Sequence, residues 1–345
     1  MNFQNTNKIL KVVLSVGDES GIGPEIILKA LCSPEIPKNI DFILVGSKKI
    51  LINTYEHLRS LGLENLTNPK YLKIEDLEIS PSDNDPKSSY GNSSFQYLTK
   101  AIEIVKQYPN SALVTGPICK KSWSLAGHYF SGQTEVLAKS CGVKNVGMLF
   151  TAKSPITGWR FNTLLATTHI PLREVPKRLN TKLIHSKLDL FKEFCIKYNK
   201  KPTLKVAGLN PHAGEEGAMG REEIEIIAPA VEELKQAGYS VTGPTPVDTM
   251  FHDRARTAYD AAVCMYHDQA LIPLKTIDFS SGVNITLGLP FVRTSPDHGT
   301  AIEIAGTGVA DESSLVAALK IAARMAGNRT RSRLISDDRV SNKLH

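Results

Sequence analysis

ILKVVLSVGDESGIGPEIILKAL, residues 9–31, holds one complete strand–turn–helix step. Residues 9–16 form a short apolar run of the kind carried by a strand buried on both faces. Glycines 17, 21 and 23 make the turn, and Pro24 suits the first position of a helix running to about Leu31. The step recurs along the chain. Apolar runs at 42–45, 112–115, 146–151, 162–167, 204–209 and 261–266 read as strands, and 49–61, 95–107, 182–197, 221–237 and 313–326 have helical spacing. This alternation predicts an α/β fold with a largely parallel sheet. Residues 78–94, EISPSDNDPKSSYGNSS, are rich in Ser, Asp, Pro and Gly and predict a long surface loop.

A chain of 345 residues suggests about two domains. Lys plus Arg is 41 against 35 Asp plus Glu, a net charge of +6 spread along the chain, which suits anionic substrates. The densest basic stretch, Arg324, Arg329, Arg331 and Arg333, reads as a solvated helix end. A nucleic-acid surface would need a broader patch with aromatic residues interleaved, so no nucleic-acid partner is expected. Cys32, Cys119, Cys141, Cys195 and Cys264 are odd in number and widely spaced, which predicts buried thiols in a reducing compartment. The N-terminal residues lack a signal-peptide pattern, and no window has the roughly 18 apolar residues that cross a bilayer. A cytoplasmic protein without a membrane partner is expected.

Ligands of open α/β sheets gather beyond the carboxyl ends of strands. Three predicted strands are each followed by a histidine: His169 in TTHIP, His212 in GLNPHAG and His267 in MYHDQ. Neutral imidazole is a common metal ligand, and three histidines leave coordination positions open for substrate. The spacing matches no local metal motif, and any one of these histidines also reads as a hydrogen-bonded structural residue. Residues 275–293, KTIDFSSGVNITLGLPFVR, place Lys275, Asn284 and Arg293 among glycines and apolar residues. Two cations and an amide suit a phosphate ester, and solvated loop residues are the alternative. SPDHGTAIEIAG, 295–306, followed by Gly308 and Asp311, has small residues that let a ligand approach the backbone. The turn Gly17–Gly23 does not fit G-x-G-x-x-G, so it predicts turn formation and helix capping rather than dinucleotide binding.

GDESGIGPE, VTGP, GQTE, ATTHIPL, GLNPHAGEEG, MYHDQ and GVNITLGLPFVRTSPDHGTA, in that order, resemble the 4-hydroxythreonine-4-phosphate dehydrogenase family from about Val12 to Met325. The resemblance implies two α/β domains flanking a cleft, as in isocitrate and isopropylmalate dehydrogenases. Residues 1–125 with 275–345 would form the cofactor side, and 126–274 the metal, substrate and dimerisation side. It implies NAD or NADP near His298, Gly299, Thr300 and Asp311. It further implies a divalent metal (Zn, or Mg, Mn or Co) on His169, His212 and His267. Substrate contacts fall on Gln133, Thr134, Lys275, Asn284 and Arg293, and the active site is shared across a homodimer. Where the family usually has His-Thr-Glu, this chain has Gln133-Thr134-Glu135, and Gln carries no titratable proton.

The implied reaction is NAD(P)-dependent oxidation of 4-phosphooxy-L-threonine at C3. Decarboxylation to 3-amino-2-oxopropyl phosphate follows, in pyridoxal phosphate biosynthesis. Lys275, Asp248 and Asp268 are the candidates for catalytic roles, and the sequence does not identify the general base. A 4-phospho-D-threonate or erythronate dehydrogenase would keep the same residues, with Gln133 as the feature favouring it. A His-ligated metallohydrolase would have no need of HGTAIEIAG, and a non-catalytic binding protein would bind ligand without metal-dependent formation of NAD(P)H.

Overall fold

The structure, a computed structural model, describes residues 10–77, 79, 85–196 and 201–341. The chain divides into two compact units, Met1–Gly142 with Leu289–His345, and Val143–Gly288. The sequence expectation divided it at 125/126 and 274/275. The first pass through unit one runs β1 (Leu10–Ser15), α1 (Gly23–Ala30), β2 (Ile40–Gly46), α2 (Lys48–Ser60), β3 (Ile74–Asp76), α3 (Pro86–Gln107), β4 (Ala112–Thr115), α4 (Lys120–Leu125) and α5 (Gln133–Cys141). The second unit runs β5 (Gly147–Lys153), β6 (Arg160–Leu165), α6 (Val175–Arg178), α7 (Thr181–Ile196), β7 (Thr203–Ala207), α8 (Ala228–Gln236), β8 (Ser240–Thr245), α9 (Val247–Met250), α10 (Asp253–Arg256), β9 (Ala261–Cys264), α11 (His267–Ile277) and β10 (Val283–Leu287). The chain then returns to unit one with β11 (Val292–Pro296) and α12 (Ser313–Ser341).

In unit one the strand order is β3-β2-β1-β4-β11, every pair parallel. Val12, Val13 and Leu14 of β1 are fully buried, as a strand covered on both faces requires. On α12, Leu315, Ala318, Leu319, Ala322 and Ala326 recur at helical spacing and form its buried stripe. In unit two the order is β10-β5-β6-β9-β7-β8. There β10–β5 and β5–β6 are antiparallel and the other pairs parallel, so the sheet is mixed rather than uniformly parallel. Its core gathers Phe150, Phe161, Leu165, Tyr259 and Leu274, with Phe251 edge-on to Phe161 at 5.5 Å between centroids.

Residues 86–94 are not loop but the first turns of α3; residues 78 and 80–84 of that expected loop lie outside the described residues. Asp85 caps the helix through Lys87 N (2.9 Å), and Pro86 takes the first position. The small residues that suggested a loop are a packing seam. A Cβ on Gly91 would sit 2.0 Å from the Ser122 carbonyl oxygen, and Trp123 Nε1 donates to buried Ser94 Oγ at 2.8 Å. The cysteines depart from expectation too: all are free, but only Cys195 and Cys264 are buried and Cys32 is exposed. Helical spacing over 313–326 continues to Ser341; the side chains of Arg329, Arg331 and Arg333 lie outside the described residues.

Gly91→Ala must push α3 off the backbone of α4. It is expected to cost about 1–3 kcal/mol, the range for an overpacked core, as a lowered midpoint in chemical denaturation.

Candidate active site

Strand β9 lies between β6 and β7, paired parallel with both through Cys264↔Leu165 and Val263↔Val206. The pairing continues past the strand ends. Ala166 N donates to Cys264 O (2.8 Å), and Thr167 donates to Met265 O through its backbone N (3.2 Å) and through Oγ1 (2.6 Å). The residues that follow therefore emerge side by side, and the rings of His169 and His267 stand 5.5 Å apart between centroids. Asp268 Oδ1 lies 2.7 Å from His267 Nδ1. A carboxylate there holds the Nδ1–H tautomer and leaves Nε2 with its lone pair.

His212 is placed differently. It is exposed, on a run of left-handed backbone with φ of 51° at His212, 52° at Ala213, 84° at Gly214, 42° at Glu215 and 52° at Glu216. Such conformations cost roughly 1–2 kcal/mol for each non-glycine residue and persist only when their surroundings impose them. Glu223, 2% exposed, does so from behind: its Oε1 accepts Leu209 N and Asn210 N, both at 2.7 Å, and its Oε2 accepts Asn210 Nδ2 at 2.9 Å. A Cβ at Gly214 would lie 2.7 Å from Glu223 Oε2, so this turn requires glycine there. Turning Glu223 inward changes its helix. The helix expected over 221–237 begins as a π-helical turn, Glu223–Ile227, before α8. Among the described residues no group of three or more His, Cys, Asp or Glu side chains is gathered closely enough to hold a metal ion. The fold thus brings together two of the three expected ligands, with suitable donor chemistry, and not the third.

Asn284 lies within β10 and Arg293 within β11, so both are buried strand residues rather than solvated loop residues. Asn284 is 9% exposed, and its buried Oδ1 has no hydrogen-bond partner among the described residues. Arg293 is 3% exposed, and its Nη2 donates to Thr115 Oγ1 at 2.7 Å and to Gln133 Oε1 at 3.4 Å. Burial pushes the guanidinium pKa down to about 10, while nearby Glu135 pulls it up. Gln133 and buried Thr134 open α5, and Gln133 Nε2 donates to Gly116 O at 2.9 Å. Lys275 Nζ lies 5.2 Å from the centre of the Phe279 ring.

In unit one His298 is half-buried, its Nδ1 3.0 Å from Gly299 O, and its buried Nε2 has no hydrogen-bond partner among the described residues. Gly299 is exposed, Thr300 O accepts Ile22 N at 2.8 Å, and exposed Asp311 caps α12 through Ser313 N at 2.8 Å. Asp248, in α9, is exposed.

A family profile described as "Pyridoxal phosphate biosynthetic protein PdxA" matches residues 38–322. The 4-hydroxythreonine-4-phosphate dehydrogenase of Synechocystis sp. is 42% identical, over 94% of this chain and 97% of that relative. The crystal structure of the Klebsiella pneumoniae 4-hydroxythreonine-4-phosphate dehydrogenase superposes with a TM-score of 0.77 at 33% identity, covering 92% of this chain and 99% of that one. The chain belongs to this family, the 4-hydroxythreonine-4-phosphate dehydrogenases of pyridoxal phosphate biosynthesis. A β-decarboxylating dehydrogenase from Thermococcus kodakarensis shares the mixed α/β fold at a TM-score of 0.51 and 12% identity, over 92% of this chain and 84% of that one. No helix among the described residues is long and apolar enough to cross a membrane.

Two polar residues that organise this family's motifs here were not singled out from sequence. Gln269 is 5% exposed; its Oε1 accepts Met265 N (2.6 Å) and its Nε2 donates to Gly208 O (2.8 Å), tying the segment after β7 to the segment after β9. The available signal was its place in MYHDQ. Glu223 gave none, because REEIE reads as a charged helix surface. Gln269→Leu keeps the shape but orphans a buried donor and a buried acceptor. It is expected to cost about 2–6 kcal/mol in chemical denaturation, at roughly 1–3 kcal/mol for each orphaned group.

Proposed function

We propose that this chain oxidises 4-phosphooxy-L-threonine at C3 with NAD(P)+ and decarboxylates the keto acid to 3-amino-2-oxopropyl phosphate. The observation that carries the substrate assignment is Arg293. A guanidinium only 3% exposed, with its pKa driven down by desolvation, is a charge that an entering anion stabilises. Its planar fork suits phosphate oxygens, and the first turn of α5, with Gln133 and Thr134, adds the positive end of a helix dipole. Asn284, whose buried Oδ1 has no hydrogen-bond partner among the described residues, and Lys275 are further candidates for substrate contact. Binding through the phosphate orients the carbon that reacts.

His169 and His267, joined by His212, are assigned to a divalent metal. The two adjacent rings and their shared strand-end origin support this reading. A metal so held would act as a Lewis acid on the substrate oxygen. Asp268 orients His267, and Asp248 and Lys275 are the candidates for moving the proton. NAD or NADP is assigned to His298, Gly299, Thr300 and Asp311. Unit one would then carry the cofactor residues and Arg293, and unit two the three histidines, in a cytoplasmic homodimer.

The test is NAD(P)H formation by the purified protein with 4-phosphooxy-L-threonine, before and after chelation and metal add-back. Turnover that disappears on chelation and returns with metal is expected. Turnover only on 4-phospho-D-threonate or erythronate would move the substrate and not the site. Arg293→Lys gives up the planar fork at a buried position and is expected to raise KM for the phosphorylated substrate about 10- to 100-fold.

A further inference from the structure

The Gly17–Gly23 turn and the helix it opens face a task that the reaction chemistry does not explain. Glu25 of α1 is 1% exposed, and its carboxylate is fully occupied. Oε1 accepts Ala310 N at 3.0 Å and Lys29 Nζ at 2.8 Å, and Oε2 accepts Gly306 N at 3.1 Å and Gly308 N at 3.4 Å. Lys29, one helical turn on, donates besides to Gly308 O at 2.8 Å and Ala310 O at 2.7 Å. The three donors of its ammonium thus meet three acceptors. At the other end of the same loop, Ile22 N donates to Thr300 O at 2.8 Å. Gly21 sits so close that a Cβ would lie 2.5 Å from that oxygen. His57 Nε2 adds a contact with Gly306 O at 2.9 Å.

We propose that Gly21, Glu25 and Lys29 are positioning residues for the dinucleotide: they brace residues 300–310 from behind and fix the backbone that NAD(P) meets. The proposal rests on the assignment of NAD(P) to residues 298–311. It gives the glycine turn a different part from a phosphate-binding fingerprint, since the turn shapes the cofactor loop and does not itself touch the ligand. A buried ion pair contributes little net stability compared with apolar residues of the same volume, because both charges lose their hydration. What this pair secures is geometry. Three alternate amides and two carbonyls of one loop are held by one carboxylate and one ammonium, while Gly299, Ile302 and Val309 are left exposed. A loop shaped before its ligand arrives binds without the cost of ordering.

The test measures steady-state kinetics in NAD(P)+ and hydrogen exchange on the whole protein, with Glu25→Gln, Lys29→Met and Gly21→Ala. In the wild type, NAD(P)+ is expected to protect amides within 298–311. In each variant KM for NAD(P)+ is expected to rise about tenfold or more, with kcat and KM for the phosphorylated substrate within about twofold of wild type. Amides 306–311 are expected to exchange faster in the unliganded variants. No protection of 298–311 in the wild type would overturn the cofactor assignment and this proposal with it. Protection there, with an unchanged cofactor KM in the variants, would overturn the brace alone. So would a uniform loss across kcat and both KM values, which marks a general structural role. If Glu25→Gln does not fold, Lys29→Met and Gly21→Ala, which leave the carboxylate in place, decide the matter.

Discussion

Parallel pairing of β9 with β6 on one side and β7 on the other is the constraint on which the candidate site depends. Parallel neighbours must end at the same edge of a sheet, so the residues after each strand become neighbours whatever their distance in sequence. His169 and His267 are brought together in this way: Thr167 remains bound to Met265 beyond the last strand residues, and the two rings follow. The same rule operates in unit one, where β4 lies between β1 and β11. A Cβ on Gly17 would lie 2.3 Å from Pro117 O, and one on Gly116 would lie 2.3 Å from Val16 O. Only glycine permits the two segments to leave the sheet in such contact, and this approach presents the Gly116 carbonyl to Gln133.

Side chains that leave the water complete what the strands begin. Gln269, Glu223 and Glu25 are each 5% exposed or less, and each is bound to backbone of a segment that follows a strand. Burying such groups is unfavourable unless every polar atom finds a partner. Here the partners are loop amides and carbonyls that no helix or strand ladder would satisfy. The loops after β7, β9 and β11 are thereby held by hydrogen bonds from rigid elements, an arrangement that keeps irregular backbone in one conformation at the edge where ligands gather.

Most of the strand and helix positions were legible because burial on both faces leaves an unbroken apolar run, as in Val12–Leu14, and burial on one face leaves a helical stripe, as in Tyr97, Leu98, Ala101, Ile102 and Val105. What was illegible had a common cause, a polar or small residue used in the interior. Gly91, Ser93 and Ser94 look like loop residues, yet their small size is what admits the α4 backbone. Glu223 looks like helix surface, yet it turns inward and the helix widens to a π turn around it. The strands holding Asn284 and Arg293 were obscured because a strand carrying a buried amide or guanidinium breaks the apolar run that announces it. Three similar contexts likewise suggested one fate for three histidines. Pairing of β6 and β9 delivers two, but the third rides on left-handed backbone whose direction no strand register dictates.

Position 133 shows what such geometry adds to a departure from a family pattern. The sequence has Gln where the family usually has His. In the fold Gln133 uses both ends of its amide: the nitrogen donates to Gly116 O, and the oxygen accepts from the buried Arg293. A neutral imidazole also offers one donor and one acceptor, so the amide satisfies the hydrogen-bonding demand of the position. It carries no proton that can leave near neutral pH, and so it supplies no acid–base catalysis. In this chain the amide at position 133 therefore links the Gly116 carbonyl to the buried Arg293 guanidinium, a contact that needs no titratable proton.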